Sequence, residues 1–168
     1  KRIRFGPLGV GYLDLAGEYI FGTLPYPLLA LHLGNQTVIY SPVTYNLMNY
    51  GEFGSDRYAT LQYQHHFEGF LFNRIPLIRK LKWRLVGTAN VIYGGLSDAN
   101  KEINAPYTPE GEETLPIGYF DNRPYVELGY GIENIFQFLR IDFVHRLSYL
   151  ENPDIRKFAI LFGFQFSL

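Results

Sequence analysis

His65 and His66 stand side by side, with Glu68 just beyond them and Glu52 upstream. Imidazoles near carboxylates are the material of metal sites and proton-transfer pairs. The spacing argues against both here. Adjacent strand residues point to opposite faces, so the two histidines do not converge on one ligand. No nucleophile stands at a spacing that would make either a catalytic base, and His66 reads as a polar group on the wet face of a strand. Asp98, Glu102, Glu110, Glu112 and Glu113 crowd the stretch from Gly95 to Gly118. Such oxygens bind hard cations, but the regular ligand spacing of a calcium loop is missing, and a solvated external loop is expected. Arg140, Asp142 and Arg146, with Glu127 and Glu133, alternate through otherwise apolar runs. They fit the lining of a pore and equally a fixed charge network filling an interior; the pattern leaves both open. No catalytic residue, metal or cofactor is expected, and the chain does not read as an enzyme.

A third group is cationic. The run RIPLIRKLKWR packs Arg74, Arg79, Lys80, Lys82 and Arg84 among apolar residues. The formal net charge of the 168 residues is -1, so no global field draws the chain to nucleic acid. Pro76 suits the first turn of a short helix. The run is expected to be a strand-connecting turn at a membrane surface, its cations meeting lipid headgroups or a partner protein.

The elements that would position these groups are strands. Tyr 14, Phe 14 and Gly 17 against a single Trp and a single Met favour twisted strands and turns over helices. There is no cysteine, which excludes disulfides and thiolate chemistry. No apolar run reaches the ~18 residues of a membrane helix, and with no signal peptide at its start the chain reads as a mature protein or a piece of a longer one. Near the C-terminus Phe158, Ile160, Phe162, Phe164 and Phe166 alternate with Lys157, Gly163, Gln165 and Ser167. In FLRIDFVHRLSYL, Leu139, Ile141 and Phe143 alternate with Arg140, Asp142 and Arg146. PYVELGYGIE, LKWRLVGTANVIYG, DRYATLQYQHHFEGF and GYLDLAGEYIF repeat the pattern. Period-two alternation marks strands between two different environments. Segments of this length, with aromatics toward their ends, match tilted membrane-spanning strands. A soluble sandwich or lipocalin-like barrel alternates in the same way with its apolar face inward. The aromatic, continuous apolar faces and the Gly, Ser and paired charges opposite them favour the membrane.

Short connections near Asn73–Lys80 and Glu133–Gln137 are expected at one end, and long ones (Phe21–Ser55, Gly95–Tyr119 and Leu150–Ile155) at the other. Outer-membrane barrels have short periplasmic turns and long external loops, so Arg74, Arg79, Lys80 and Lys82 are expected in a periplasmic basic turn. The segment Gly22–Ser55 is too apolar for a solvated coil. It is expected to fold back into the barrel as a lumen-folded loop, its tyrosines meeting a polar partner such as Arg140 or Glu68. The polar side chains expected to face the lumen are Glu68, Arg84, Glu127, Arg140, Asp142 and Arg146.

LPYPLL, LHLGN, YNLMNYGEFGSDRY and HHFEGFLFNRIPLIRKLKWR resemble the C-terminal portion of a Bacteroidetes outer-membrane family of unassigned function. That family carries an N-terminal carboxypeptidase-regulatory-like domain and is distantly similar to the BamA/TamA insertase superfamily. The resemblance implies an all-β, antiparallel transmembrane barrel of about sixteen strands, residues 1–168 supplying about the last six. It places the chain in a bacterial outer membrane, with lipid, the remaining strands and N-terminal domains, and other envelope proteins as partners. It suggests a role in membrane-protein or lipid assembly or translocation, the alternatives being a transport barrel or a structural subunit of an envelope complex. The Arg-Gly-aromatic motif of insertase lumen loops is missing; Gly34-Asn35 and Asp56-Arg57-Tyr58 come nearest. Gly163, Phe166 and Leu168 resemble a barrel-assembly signal. Without the resemblance, Pro27–Leu33 and Val38–Met48 could add two strands and make a small eight-stranded barrel.

Overall fold

The computed structural model describes residues 1–70, 72–104 and 118–164. Its centre is one antiparallel sheet of seven strands: β1 (Arg2–Arg4), β2 (Val10–Tyr19), β5 (Arg57–His66), β6 (Arg84–Gly95), β7 (Tyr125–Ile135), β8 (Leu139–Arg146) and β9 (Phe158–Phe164), paired in that order. The six long strands are the six expected, and the three-residue β1 is added at one edge. Among the described residues β1 and β9 do not pair with each other, so the sheet is open. The two extra strands of the small-barrel alternative are not there. In their place are β3 (Ala30–Leu31) and β4 (Gly54–Ser55), a two-residue ladder outside the sheet, and two isolated parallel bridges, Gly34 to Tyr45 and Ile39 to Phe162.

Several boundaries differ from expectation: β8 ends at Arg146, before Leu147 and Tyr149, and β2 at Tyr19, before Phe21. Leu81 and Trp83 are not strand residues, because the helix opened by Pro76 runs on as α1 (Pro76–Leu81). Lys82 caps it in the left-handed region, φ 55°, and β6 starts only at Arg84. Likewise β5 ends at His66, so Phe67 and Glu68 lie in the following turn, with Glu68 at φ 41°.

Strand register places the side chains in two sets. His66, Gln64, Gln62 and Thr60 stand opposite Val86, Thr88, Asn90 and Ile92. Thr88 and Asn90 stand opposite Gly129 and Glu127, Glu127 opposite Arg146, and Arg140 opposite Gly163. All of these share one face, and it carries the strands' charges. The other face carries Leu15, Leu61, Val91, Leu128, Tyr130, Ile141, Phe143, Ile160 and Phe162. Among the described residues of the six long strands its one charged side chain is Arg57, at the end of β5.

The segment between β2 and β5 packs on the charged face. Val38–Tyr40 runs along the outer edge of β9: the Tyr40 N–H donates to the Phe162 carbonyl (2.8 Å), and the Phe162 N–H to the Val38 carbonyl (2.8 Å). Tyr45, Met48 and Phe53 join Ile92, Phe120, Tyr125 and Tyr149 in the main apolar cluster, where the Phe53 and Phe120 rings stack at 4.5 Å. Leu47 packs on Val144 and Leu161. At Gly34 a Cβ would lie 2.1 Å from the Met48 carbonyl oxygen, so only glycine lets the segment close on itself.

The long connections gather at one end. α2 (Asp98–Ile103) is tied there by Asp56, whose carboxylate accepts from the Ser97 N–H (2.7 Å) and the Asn100 amide (2.9 Å). The tight turn after β7 sits at the opposite end beside α1, where the side-chain amide of Asn134, next to last in β7, donates to the Lys82 carbonyl (2.8 Å).

Candidate functional site

The site is the charged face and the segment docked on it. Glu127 projects from β7 and is 1 % exposed. Its carboxylate accepts from the Leu47 N–H (2.6 Å), the Asn46 N–H (2.9 Å) and the Tyr125 hydroxyl (2.6 Å). Two successive backbone donors make a small anion cradle, which lets a carboxylate stay buried without a cation in contact. The cradle fixes where the segment lands.

Arg146, near the end of β8, is the second anchor. Its guanidinium grips Glu52 in a two-point pair (2.5 and 2.9 Å) and also donates to the carbonyls of Leu47, Ser148 and Tyr149. Planar fork geometry suits Arg to such bidentate holding. Burial alone would raise the Glu52 carboxyl. Arg146, the Asn49 N–H and the Asn152 amide outweigh it and hold the group below its ordinary value.

Arg140 and Asp142 pair on β8 itself (2.6 and 2.7 Å). Strand neighbours two apart share a face, and Gly131 on β7 leaves the room: a Cβ there would lie 2.7 Å from the Asp142 carboxylate. Tyr40 of the docked segment lies over the Arg140 guanidinium, 4.3 Å from the ring centroid. The expected tyrosine partner is therefore Arg140; Glu68 is not one. Glu68 and Arg84 do not join the buried network. They line a polar cleft of about 370 Å³ with Tyr12, Gln64, His66 and Glu133. There the His66 Nδ1 meets the Glu133 carboxylate at 2.8 Å. His65 faces the other way, toward Tyr63 and the Leu8 carbonyl.

Arg74, Arg79, Lys80 and Lys82 are exposed on and around α1, and none is ion-paired among the described residues. Gly163 faces the charged side under Arg140. Phe166 and Leu168 lie outside the described residues, as do Glu110, Glu112 and Glu113. Among the described residues no cluster of His, Asp and Glu is arranged to hold a metal ion.

Sequence reasoning missed three parts of the site. Glu52 was seen only as a neighbour of the histidines, not as the Arg146 partner. Asn35 organises the segment, accepting from the Thr37 N–H and hydroxyl and donating to the Ile39 carbonyl and the Asn46 side chain; the turn signal Gly34-Asn35 marked the place but not these bonds. His32, buried against Tyr58 and Phe120 with Nε2 2.7 Å from the Ser55 hydroxyl, gave no signal at all.

Burial pushes the His32 imidazole from 6.5 down to about 4. Between those values a released segment takes up a proton that the docked one refuses. Docking therefore weakens as pH falls from 6.5 toward 4, and below that the loss is complete. At full extent the effect is at most about 3 kcal/mol. Glu52 acts in the same direction at lower pH: its contribution is present above the ordinary carboxylate value and is lost as pH falls through its depressed one. The melting temperature should drop between about pH 7 and about pH 4.5, and His32→Phe should shrink the drop. An unchanged drop in that variant would remove His32 as the acid-sensitive anchor.

Residues 29–105 match the profile of the C-terminal domain of a family of unknown function, DUF5686. The matched span holds most of the docked segment, β5, the basic turn, β6 and α2. No curated protein and no solved structure matches the chain. These comparisons bring no likeness to insertases and none to an N-terminal domain.

Proposed function

We propose that this chain is a stretch of wall from an outer-membrane β-barrel, with its apolar face against lipid and its charged face lining an interior plugged by Gly22–Ser55. The observation that carries the reading is sidedness. A soluble sandwich hides its apolar face; here the apolar face is the open one, with Tyr130 at 53 % and Phe164 at 61 % exposure, while Glu127, Asp142 and Arg146 lie buried under the docked segment. The edge at β1, and the length of the β9 edge beyond the bridge that Val38–Tyr40 makes at Phe162, also fit a wall that continues into further strands, since unpaired edges are not tolerated in hydrocarbon. A plugged interior argues against free conduction. The role that fits best is handling of membrane proteins or lipids at the bilayer, without catalysis. A transport barrel is the second reading, favoured by the polar clefts on the charged face beside the docked segment.

The single tryptophan tests the membrane placement. Trp83 precedes β6 beside the basic turn, where interfacial aromatics belong. After refolding into vesicles, its fluorescence should be quenched strongly by lipids brominated near the headgroup and weakly by lipids brominated at the chain end. No quenching by either would count against this placement.

A further inference from the structure

The docked segment covers the face over β6 to β9 and, at Tyr58, the start of β5, and leaves the part over β2 and the rest of β5 open. There the register builds a polar tile. Tyr12 stands opposite Gln64, and Gln64 opposite Thr88; Asp14 stands opposite Gln62, and Gln62 opposite Asn90. The two rows are two residues apart along the strands, about 7 Å, and strands are about 4.8 Å apart. A cleft of about 240 Å³ lies over this tile, closed on one side by Tyr40, Pro42 and Val43 of the docked segment.

Within the tile the Asn90 amide is committed to Glu127 and the Arg2 guanidinium lies 6.0 Å from the Tyr12 ring centroid; among the described residues the other polar groups are free. Tyr58 and Tyr63, on the same strand as the two glutamines, give their hydroxyls to Glu18 and His65. Among the described residues the side chains of Tyr12, Asp14, Gln62 and Gln64 take part in no hydrogen bond. Each amide both donates and accepts, the carboxylate accepts, and the phenol does either. Pro42 and Val43 add an apolar edge. Lys1 also lines the cleft and is matched there by Asp14, so the lining has no excess of cations, as an anion would need. Its tyrosines, Tyr12, Tyr40 and Tyr63, come from three separate elements rather than forming one cage for a quaternary cation.

We infer that this cleft binds a neutral, polyhydroxylated ligand with the chemistry of a short saccharide. Hydroxyls spaced a few ångströms apart pair with the amides and Asp14, and the C–H face of a ring lies against Pro42 and Val43. The inference rests on the tile and its roof, whichever medium meets the opposite face of the sheet.

The test uses the full chain refolded in a zwitterionic detergent, since sugar-headed detergents would compete. Maltotriose, cellotriose and chitotriose are titrated calorimetrically, with inorganic phosphate as the anionic comparison. At least one trisaccharide should bind saturably. Gln62→Ala and Gln64→Ala should each weaken it about tenfold or more, with the melting temperature unchanged. Failure of all three sugars to saturate, equal binding by the doubly substituted chain, or tighter binding of phosphate than of any sugar would overturn the inference. None of these results bears on Trp83 quenching, so the membrane placement stands or falls separately.

Discussion

An Arg146→Ala variant is expected to lose about 3–5 kcal/mol of stability and to expose the docked segment to protease. The guanidinium is fully covered and makes five hydrogen bonds, two to Glu52 and three to carbonyls. Removing it leaves Glu52 largely buried without its cation and strands the Leu47 and Tyr149 carbonyls. A buried charge without its partner is the expensive state, more so than the absence of the pair. Arg146→Lys should recover only part of the loss, because an ammonium cannot span both carboxylate oxygens. Pairing Arg146→Met with Glu52→Met should cost less than the two single changes added together. Cleavage between Leu28 and Tyr50 reports release directly. A variant with alanine at 146 that melts and resists protease like the parent chain would show that the segment is held by its apolar contacts alone.

How much of this was legible follows from which contacts are local. Period-two alternation is a local property, so all six long strands and the two-sided character of β7, β8 and β9 could be read from residues such as Arg140, Asp142, Phe158 and Ile160. The helix at Pro76 was also legible, but not its end. Leu81 and Trp83 continue the alternation of β6, and only the left-handed cap at Lys82 separates them from it. The docking of Gly22–Ser55 followed from its apolar composition. Its anchors did not, because they join residues far apart in sequence: Leu47 to Glu127, Glu52 to Arg146, and Val38–Tyr40 to the edge of β9. A carboxylate held by two backbone N–H groups, as Glu127 is, leaves no charge-pairing signal, since its partners are peptide groups present everywhere. The types and spacing of Arg140 and Asp142 were legible, and their pairing is a local contact of the site. They bond each other under Tyr40.

A Phe162→Arg substitution is expected to cost roughly 2–4 kcal/mol in a vesicle refolding titration, the range for a cation facing lipid near the midplane of a barrel wall. Phe162 is 41 % exposed on the apolar face, between Ile160 and Phe164 along β9 and opposite Ile141. Its backbone, not its ring, holds Val38–Tyr40, so the edge bridge survives the change and the cost reports the medium around the side chain. The comparison is Gln62→Arg on the opposite face, where an arginine meets the polar tile and Asp14. That change should cost well under 1 kcal/mol, as most substitutions at solvated positions do. The two environments thus predict different outcomes. In a water-soluble sheet an exposed Phe→Arg change is near neutral or improves solubility, and the penalty at Phe162 vanishes. In a barrel wall it is the larger of the two by several-fold. Equal costs at the two positions, or a Phe162→Arg chain that stays folded and soluble without lipid or detergent, would take this face out of the membrane.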